Sequence, residues 1–355
     1  MRTRDSARPR GDRRARLPRT RDRRVRRSRR ARARRHRRVI EQPVSTRGLR
    51  AQALFRALQS RLCEALEELD GRAKFKLDVW DRPGGGGGHT ATIADGDLFE
   101  KGGVNWSAVW GAFDDAALAR LGGSERVFHA TGTSLVLHPR NPHVPAVHAN
   151  FRFLERGTDA WFGGGSDLSP AYPTFEDTVH FHRAWKEVCD RHDASYYQNF
   201  KRWCDEYFYI PHRGETRGVG GIFFDDLRGD FDALLAFVKD CGETFMPSYA
   251  PIAQRRRAQP YGDTERHFQQ LRRGRYVEFN LVYDRGTAFG LATNGRTESI
   301  LMSLPPVARW EYDWQPAPGS REAHAMTFFQ PRDWLAQAAA AQGRSPTSPD
   351  ELTST

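Results

Sequence analysis

The chain has 355 residues and a formal net charge of +12, which would suit a nucleic-acid-binding protein. The charge is concentrated at one end. Residues 1–38 hold 20 arginines and three acidic residues, so this segment carries +17 and the rest of the chain carries −5. No stretch approaches the roughly 18 consecutive apolar residues of a membrane-spanning helix, and we therefore expect no membrane span.

Residues 1–45 are predicted to form a disordered, arginine-rich extension, because they show no apolar periodicity from which a core could form. They also lack the apolar segment of a secretory signal. An arm that binds nucleic acid is one interpretation, and a dispensable extension is the other. No aromatic residue stands among the arginines to stack on bases, which favours the second interpretation, so no nucleic acid partner is expected. Residues 341–355 are predicted to form a disordered C-terminal tail.

The four cysteines are widely spaced and form no C-x-x-C pair. Structural zinc and iron–sulfur clusters are therefore not expected. Free thiols in a reducing compartment are the simplest interpretation, and we expect a cytoplasmic protein.

The first predicted element is a helix over residues 47–69, capped by Ser45 or Thr46 and ended by Gly71, with a stripe of leucines along one side. The glycine-rich stretch 82–90 is predicted to be a flexible loop. It is no phosphate-binding loop, because no Gly-Lys-Ser/Thr follows the glycines.

Two strands are predicted on either side of a proline-rich connection in residues 132–156. Alternate residues of a strand share a face, so one face of this pair is apolar and the other is polar. The polar face carries Ser134, His138, His148, Asn150 and Arg152. A solvent-facing sheet surface usually carries Lys, Glu and Thr instead, so this composition favours a functional site.

Asp167 follows two aromatic residues and three glycines in WFGGGSDLSP, residues 161–170. Three consecutive glycines predict a bent backbone or a close approach. The local alternative is an Asx-type turn, in which the carboxylate bonds its own backbone.

Two helices are predicted next, over residues 175–191 and 195–209. His182 lies on the apolar side of the first, where a histidine is more often a core residue than a catalyst. Pro211 ends the second helix and places His212 just beyond it.

The remaining chain is predicted to contain a strand, two helices and then more strands. In residues 274–305, hairpin signals at Arg285-Gly286 and Asn294-Gly295 separate three strand-like runs. The whole order predicts a single α+β domain with a large antiparallel sheet flanked by helices on both sides. The other predicted elements are the strand at 218–226 and helices near 230–242 and 262–273.

Several long motifs, in the same order, resemble oxygen-dependent coproporphyrinogen III oxidase over roughly residues 47–335. They include HANFRF, WFGGGSDLSP, HFHRAWKEVCDRH, FKRWCDEYFYIPHRGETRGVGGIFFDDL and GRYVEFNLVYDRGTAFGLATNGRTESILMSLPPVARWEYDW. The resemblance implies a catalytic domain over 46–340 that converts the ring A and B propionates of coproporphyrinogen III to vinyl groups in haem biosynthesis. Oxygen is the co-substrate, and protoporphyrinogen IX, CO2 and H2O2 are the products.

The resemblance further implies a homodimer, with residues 276–311 as its dimer-forming segment, and no flavin, haem or iron–sulfur cluster. The functions that compete with it are non-catalytic porphyrin binding and nucleic-acid binding through the tail.

Site residues follow from the same resemblance. His148 is implied as a proton donor and, with three other histidines, as a ligand of a divalent metal. Asp167 is hypothesised to anchor the pyrrole N–H groups of the substrate. A metal-free site, in which the histidines donate protons and bind carboxylates, stays open as the alternative. The implied metal ligands are His138, His148, His182 and His212, and the implied substrate-binding residues are Ser134, Asn150, Phe151, Arg152, Asn294, Gly295 and Arg296.

Overall fold

A seven-stranded antiparallel sheet organises the molecule, in the order β1-β2-β3-β4-β5-β6-β9. In this computed structural model the described residues are 44–113, 115, 124–292 and 295–342. The strands are β1 Lys76–Asp81, β2 Gly86–Ala94, β3 Phe99–Ala112, β4 Val127–Pro139, β5 Ala146–Arg156, β6 Asp159–Ser169 and β9 Gly220–Leu227, and β7 Tyr209–Ile210 pairs separately with β8 Glu215–Thr216. The predicted α+β class with a large antiparallel sheet is confirmed.

The helices lie before, between and after these strands. They are α1 Thr46–Asp70, α2 Phe175–Asp190, α3 Tyr196–Tyr207, α4 Phe231–Arg256, α5 Asp263–Glu278, α6 Arg285–Ala292, α7 Thr297–Leu301, α8 Arg321–Met326 and α9 Trp334–Gln342, with a π-helical turn at Phe279–Tyr283. None of the helices in the described part of the chain has the length and hydropathy needed to cross a membrane.

One face of the sheet is the main core. Strand β5 alternates strictly between half-buried and buried residues, because successive side chains point to opposite faces. Helix α1 covers the buried face with its leucine stripe, and its start is capped by Ser45, whose Oγ accepts the Gly48 amide at 2.9 Å. The predicted first helix and its cap are therefore confirmed.

The C-terminal part of the chain lies against the opposite face. Asn105 Nδ2 on β3 donates to the Ser299 carbonyl at 2.8 Å, and His138 on β4 contacts the Ser303 carbonyl through Nε2 at 2.8 Å. Helix α5 adds Tyr276, whose ring packs edge-on against His138. Helical segments thus flank the sheet on both sides, as predicted.

The predicted strands and hairpins in residues 274–305 are wrong, because this region is helical. At the first predicted turn, Asp284 caps the start of a helix, because its Oδ2 accepts the Thr287 amide at 2.7 Å. Arg285 and Gly286 therefore begin a helix instead of closing a hairpin. Residues 293–294, which include the second predicted turn, lie outside the described residues.

The glycine-rich stretch 82–90 is not a long flexible loop. The chain turns at residues 83–85, and β2 begins at Gly86, whose φ of 82° lies in the left-handed region that glycine tolerates. A Cβ on Gly88 would lie 2.5 Å from the Trp80 ring. The glycines therefore let β1 and β2 pair under a large aromatic side chain.

The glycines before Asp167 also belong to a strand, so the predicted Asx-type turn is wrong, while the pairing of this strand with β9 is irregular between Phe162 and Gly164. A Cβ on Gly165 would lie 2.3 Å from the Ile222 carbonyl, and one on Gly163 would lie 2.7 Å from both Arg152 Nη2 and Asp225 Oδ1. The predicted close approach to these glycines is confirmed, and the groups that approach them are the neighbouring strand's backbone and the side chains of Arg152 and Asp225.

Two element boundaries differ from prediction. The helix predicted near 230–242 continues to Arg256 and includes Pro247 and Pro251. Gly242 lies inside this helix and does not end it. The glycine lets α4 pack closely against α1, since a Cβ there would lie 2.7 Å from Leu58. At the other end of the chain, helix α9 runs to Gln342, so the predicted tail begins inside a helix.

Candidate active site

The polar sheet face is organised in rows that run across the strands. Ser134, Asn150 and Gly165 are register partners on β4, β5 and β6, and the neighbouring row places His148 of β5 opposite Asp167 of β6. Partners in an antiparallel sheet project to the same side. The prediction that these polar residues share one face is confirmed, and Asp167 lies on that face too.

His148 and Asp167 form a hydrogen-bonded pair. Nδ1 of His148 lies 2.9 Å from Oδ1 of Asp167. Because a carboxylate accepts, Nδ1 carries the proton, and in the neutral ring Nε2 then has a lone pair. The imidazole is partly exposed, so Nε2 is the atom able to exchange a proton with a ligand on this face.

Arg217 completes the cluster from the short segment between β8 and β9. Its Nη2 and Nε donate to the two oxygens of Asp167 at 2.8 and 3.1 Å, and its Nη1 donates to Asn280 Oδ1 at 2.6 Å. The guanidinium lies 4.1 Å from the ring centre of Phe208 and 4.5 Å from that of Tyr276, so it is buried among aromatic faces.

Sequence reasoning missed Arg217, although it belongs to the motif HRGETRGVGG. The available signal was an arginine three residues before a buried strand that begins with glycines. Nothing in the sequence indicated that this arginine would meet Asp167, because the two residues are 50 positions apart and the chain between them includes two helices and a short hairpin.

Asp167 is an ionised, buried carboxylate. Burial raises the pKa of such a group, but the charge of Arg217 and the hydrogen bonds from His148 and Arg217 outweigh burial and lower the pKa of Asp167. Its side chain is only 2% exposed. In this arrangement the carboxylate orients His148 and neutralises Arg217, and a ligand on the sheet face reaches the imidazole first.

Arg152 lies two rows from the His148–Asp167 pair on the same face. Its Nη1 donates to Asn150 Oδ1 at 2.9 Å, and its Nη2 lies 3.0 Å from Asp225 Oδ1. Both partners of this ion pair are partly exposed, so an incoming carboxylate can compete with Asp225. Phe151, which lies between Asn150 and Arg152 in β5, points into the core and is buried, so its side chain is not available to a substrate.

Small side chains surround these polar groups. Asn105 and Ser134 lie half-buried in one row, and Ser107 and Gly132 in the next. This polar platform, which comprises Asn105, Ser107, Gly132, Ser134, Asn150 and Arg152, extends over two rows of three neighbouring strands.

The second predicted substrate-binding turn lies elsewhere. Arg296 is ion-paired with Asp78 on β1, the far edge of the sheet, and the Gly295 amide donates to the Gly290 carbonyl at 2.8 Å. Asp78 and Asn150 belong to the same cross-strand row and are four strands apart, which corresponds to ~19 Å. Asn294 lies outside the described residues.

The four histidines implied as metal ligands do not converge. His182 is buried beside α3, between the Tyr197 hydroxyl at 3.0 Å and the Val219 carbonyl at 2.9 Å. His212 contacts Glu278 at 2.7 Å, and His138 contacts Ser303. No group of three or more metal-ligating side chains occurs within the described ranges. The residues present therefore do not fit a divalent ion shared by these four side chains.

Burial keeps two of these imidazoles neutral. It lowers the pKa of His138 to about 3 and that of His182 to about 4. Because Nε2 of each ring faces a backbone carbonyl, each ring donates there.

The polar platform, the partly exposed Arg152 and the partly exposed His148 held by the buried Asp167 and Arg217 are the features of an enzyme site for an anionic small molecule. A family model described as coproporphyrinogen III oxidase matches residues 50–334. The chain belongs to this family. It is therefore an oxidoreductase with a role in porphyrin biosynthesis, and its substrate is a porphyrinogen.

Proposed function

We propose that this protein catalyses the oxygen-dependent oxidative decarboxylation of coproporphyrinogen III. The propionates of rings A and B become vinyl groups, which gives protoporphyrinogen IX with release of CO2 and H2O2. The observation that carries the proposal is the His148–Asp167 pair on the polar platform of a chain whose family acts on a porphyrinogen.

The platform suits the shape and charge of this substrate. The macrocycle carries carboxylates at its rim and pyrrole N–H groups at its centre. Serine and asparagine oxygens on the platform accept N–H donors. Arg152 binds one propionate bidentately and exchanges its contact with Asp225 for the substrate carboxylate.

His148 carries out the proton transfer. Its Nδ1–H is held by Asp167, so Nε2 accepts a proton from the bound macrocycle and returns it later. Asp167 is a positioning residue in this scheme: it fixes the tautomer and stabilises the imidazolium, while Arg217 fixes Asp167. This differs from the hypothesis that Asp167 itself anchors the pyrroles.

The proposal includes a homodimer formed through residues 276–311. This segment exposes several large apolar side chains, among them Leu281, Val282 and Trp310. Exposed apolar side chains that form a contiguous patch are typical of surfaces that a partner covers.

The decisive experiment is an assay of the purified full-length protein with coproporphyrinogen III in air and under strict anaerobiosis. We expect formation of protoporphyrinogen IX and H2O2 in air, and loss of both without oxygen. Equal turnover in both conditions would contradict the proposed reaction. Binding of the porphyrinogen without any turnover would favour a non-catalytic porphyrin-binding protein.

A further inference from the structure

The π-helical turn after α5 has an unusual pattern of burial. Asn280 is 6% exposed, whereas the next two side chains, Leu281 and Val282, are 51% and 64% exposed. Burying an amide costs free energy unless the amide is hydrogen-bonded, while burying leucine or valine is favourable. A buried amide beside two exposed apolar side chains therefore indicates that the amide makes a contact that the protein needs.

Asn280 makes this contact with the guanidinium of Arg217. Nη1 of Arg217 donates to Oδ1 of Asn280 at 2.6 Å. A guanidinium only donates, so the amide must present its oxygen here. Nε and Nη2, on the other edge of the guanidinium, then face the carboxylate of Asp167.

The aromatic surroundings of Arg217 do not fix this orientation by themselves. The ring centres of Phe208, Tyr276 and Phe279 lie 4.1, 4.5 and 4.8 Å from the guanidinium carbon. A cation–π contact attracts the charge to a ring face and does not select one N–H group. The hydrogen bonds therefore decide which edge of the guanidinium faces Asp167.

One oxygen of Asp167 serves both the arginine and the histidine. Oδ1 accepts Nη2 of Arg217 at 2.8 Å and lies 2.9 Å from Nδ1 of His148. A displaced guanidinium therefore disturbs the same oxygen that fixes the imidazole tautomer. The amide of Asn280 is the first member of a hydrogen-bonded series that ends at the proton-exchanging ring.

We propose that Asn280 is a positioning residue for the proton transfer. It holds Arg217 against Asp167, and Asp167 then keeps the proton of the neutral imidazole on Nδ1 of His148. The inference rests on the function proposed above and adds a residue that acts only through Arg217. Because Asn280 is buried, it should not contribute to substrate affinity.

The competing explanation is that Asn280 only satisfies a buried donor of Arg217 and so stabilises the fold. The two explanations differ in what they predict for His148. A structural role alone lowers the free energy of unfolding, but it leaves the imidazole tautomer and the kcat of the folded enzyme unchanged. A positioning role changes both.

The first test measures the tautomer of His148 and needs no turnover. Full-length protein labelled with 15N-histidine is examined by NMR at pH ~9, where an ordinary imidazole is neutral, and His148→Gln identifies the signals of this ring. We expect Nδ1–H in the wild type and a mixture with Nε2–H in Asn280→Leu. Asn280→Asp keeps an acceptor oxygen and should retain Nδ1–H. An unchanged tautomer in Asn280→Leu would overturn the inference.

The second test is the split between kcat and KM. Asn280→Leu should lower kcat about tenfold, which corresponds to one lost hydrogen bond, and leave the KM for the porphyrinogen unchanged. Asn280→Asp should keep most of the kcat. Asn199→Leu is the matched control and should retain full kcat, because Asn199 Oδ1 also accepts from an arginine, Arg202, but at an exposed site. A raised KM with unchanged kcat, or equal losses in the Leu and Asp variants, would overturn the inference.

Thermal unfolding verifies that each variant folds. Asn280→Ala removes the acceptor without adding bulk and replaces the leucine variant if that variant does not fold, with the same tautomer change and loss of kcat expected. If the wild type shows no oxygen-dependent turnover, the proposed function fails on the wild-type assay alone. The tautomer comparison then still decides whether Asn280 positions His148.

Discussion

At the scale of single residues, His148 is the group on which the proposed chemistry depends. Replacing it by glutamine keeps a hydrogen bond to Asp167 and removes the proton-exchanging nitrogen. We expect kcat to fall by about 10²–10⁴ with little change in thermal stability. His180→Gln, on helix α2 away from the platform, is the control and should retain full kcat. A His148→Gln enzyme with wild-type turnover would remove this residue from the mechanism.

Asp167 has a different importance, because its loss leaves a buried cation unpaired. We expect Asp167→Ala to lower the free energy of unfolding by about 3–5 kcal/mol, since Arg217 has no access to water in its aromatic surroundings. Asp225→Ala also unpairs an arginine, but at a partly exposed site, and should cost at most about 1 kcal/mol. Urea unfolding of both variants measures the difference, and equal costs would contradict this account of the cluster.

At the scale of elements, Glu278 fastens the end of α5 to the short β7–β8 hairpin. Its oxygens accept two bonds from Arg213, at 2.8 and 2.6 Å, and one from His212. Burial would raise the pKa of Glu278, but these bonds and that from Trp310 lower it to about 2. The clamp therefore stabilises the fold above the ordinary carboxyl pKa of 4.5, and the stabilisation is lost as the pH falls from there towards 2.

This gives a pH-dependent prediction. Wild type should be more stable than Glu278→Gln at pH ~6, and the difference should shrink by about 1 kcal/mol at pH ~3.5, where the unfolded carboxylate is protonated and the folded one is still largely ionised. Urea unfolding at the two pH values measures it. Glu243→Gln, an exposed acid on α4, is the control and should keep a constant difference. A pH-independent difference for Glu278→Gln would show that the clamp contributes no proton linkage.

The elements also show how far the sequence could predict the molecule. Strands β4 and β5 were predictable, because alternation reports directly which face is buried. Helical residues 279–292 were not, because Phe279 satisfies strand-like patterning while packing against Phe208 and Tyr207 in three dimensions. Local patterning could not distinguish the two states, and tertiary packing decided between them.

The site residues also fall into a part that the sequence could predict and a part that it could not. The sequence placed Ser134, His148 and Asn150 on one face because they lie on adjacent strands. It could not bring Arg217 to Asp167, since that contact depends on the path of two intervening helices. The sequence also could not reveal that His182 and His212 belong to separate hydrogen-bonded environments, because matching a family's motifs does not fix the distance between two side chains.

At the scale of the whole molecule, the proposed dimer can be tested at one exposed side chain of its interface segment. Val282 is 64% exposed in the segment 276–311. We expect Val282→Lys to convert a dimer to a monomer in sedimentation, because burying a charged amine at an apolar contact is costly. Leu49→Lys changes a side chain that is 54% exposed on α1, outside this segment, and should leave the dimer intact. A dimer that survives Val282→Lys would place the interface elsewhere.

The cross-strand rows carry a consequence for how this enzyme tolerates change. The platform residues of β3, β4 and β5 and the proton-transfer pair of β5 and β6 occupy successive cross-strand rows, so their spacing is set by strand pairing and not by a loop. Inserting or deleting one residue near the start of β5 would move its following side chains to the opposite face of the sheet. His148 would then point into the core and Phe151 out to solvent. Length variation among functional homologues should therefore fall between strands, with the interior of β5 and β6 kept at constant length.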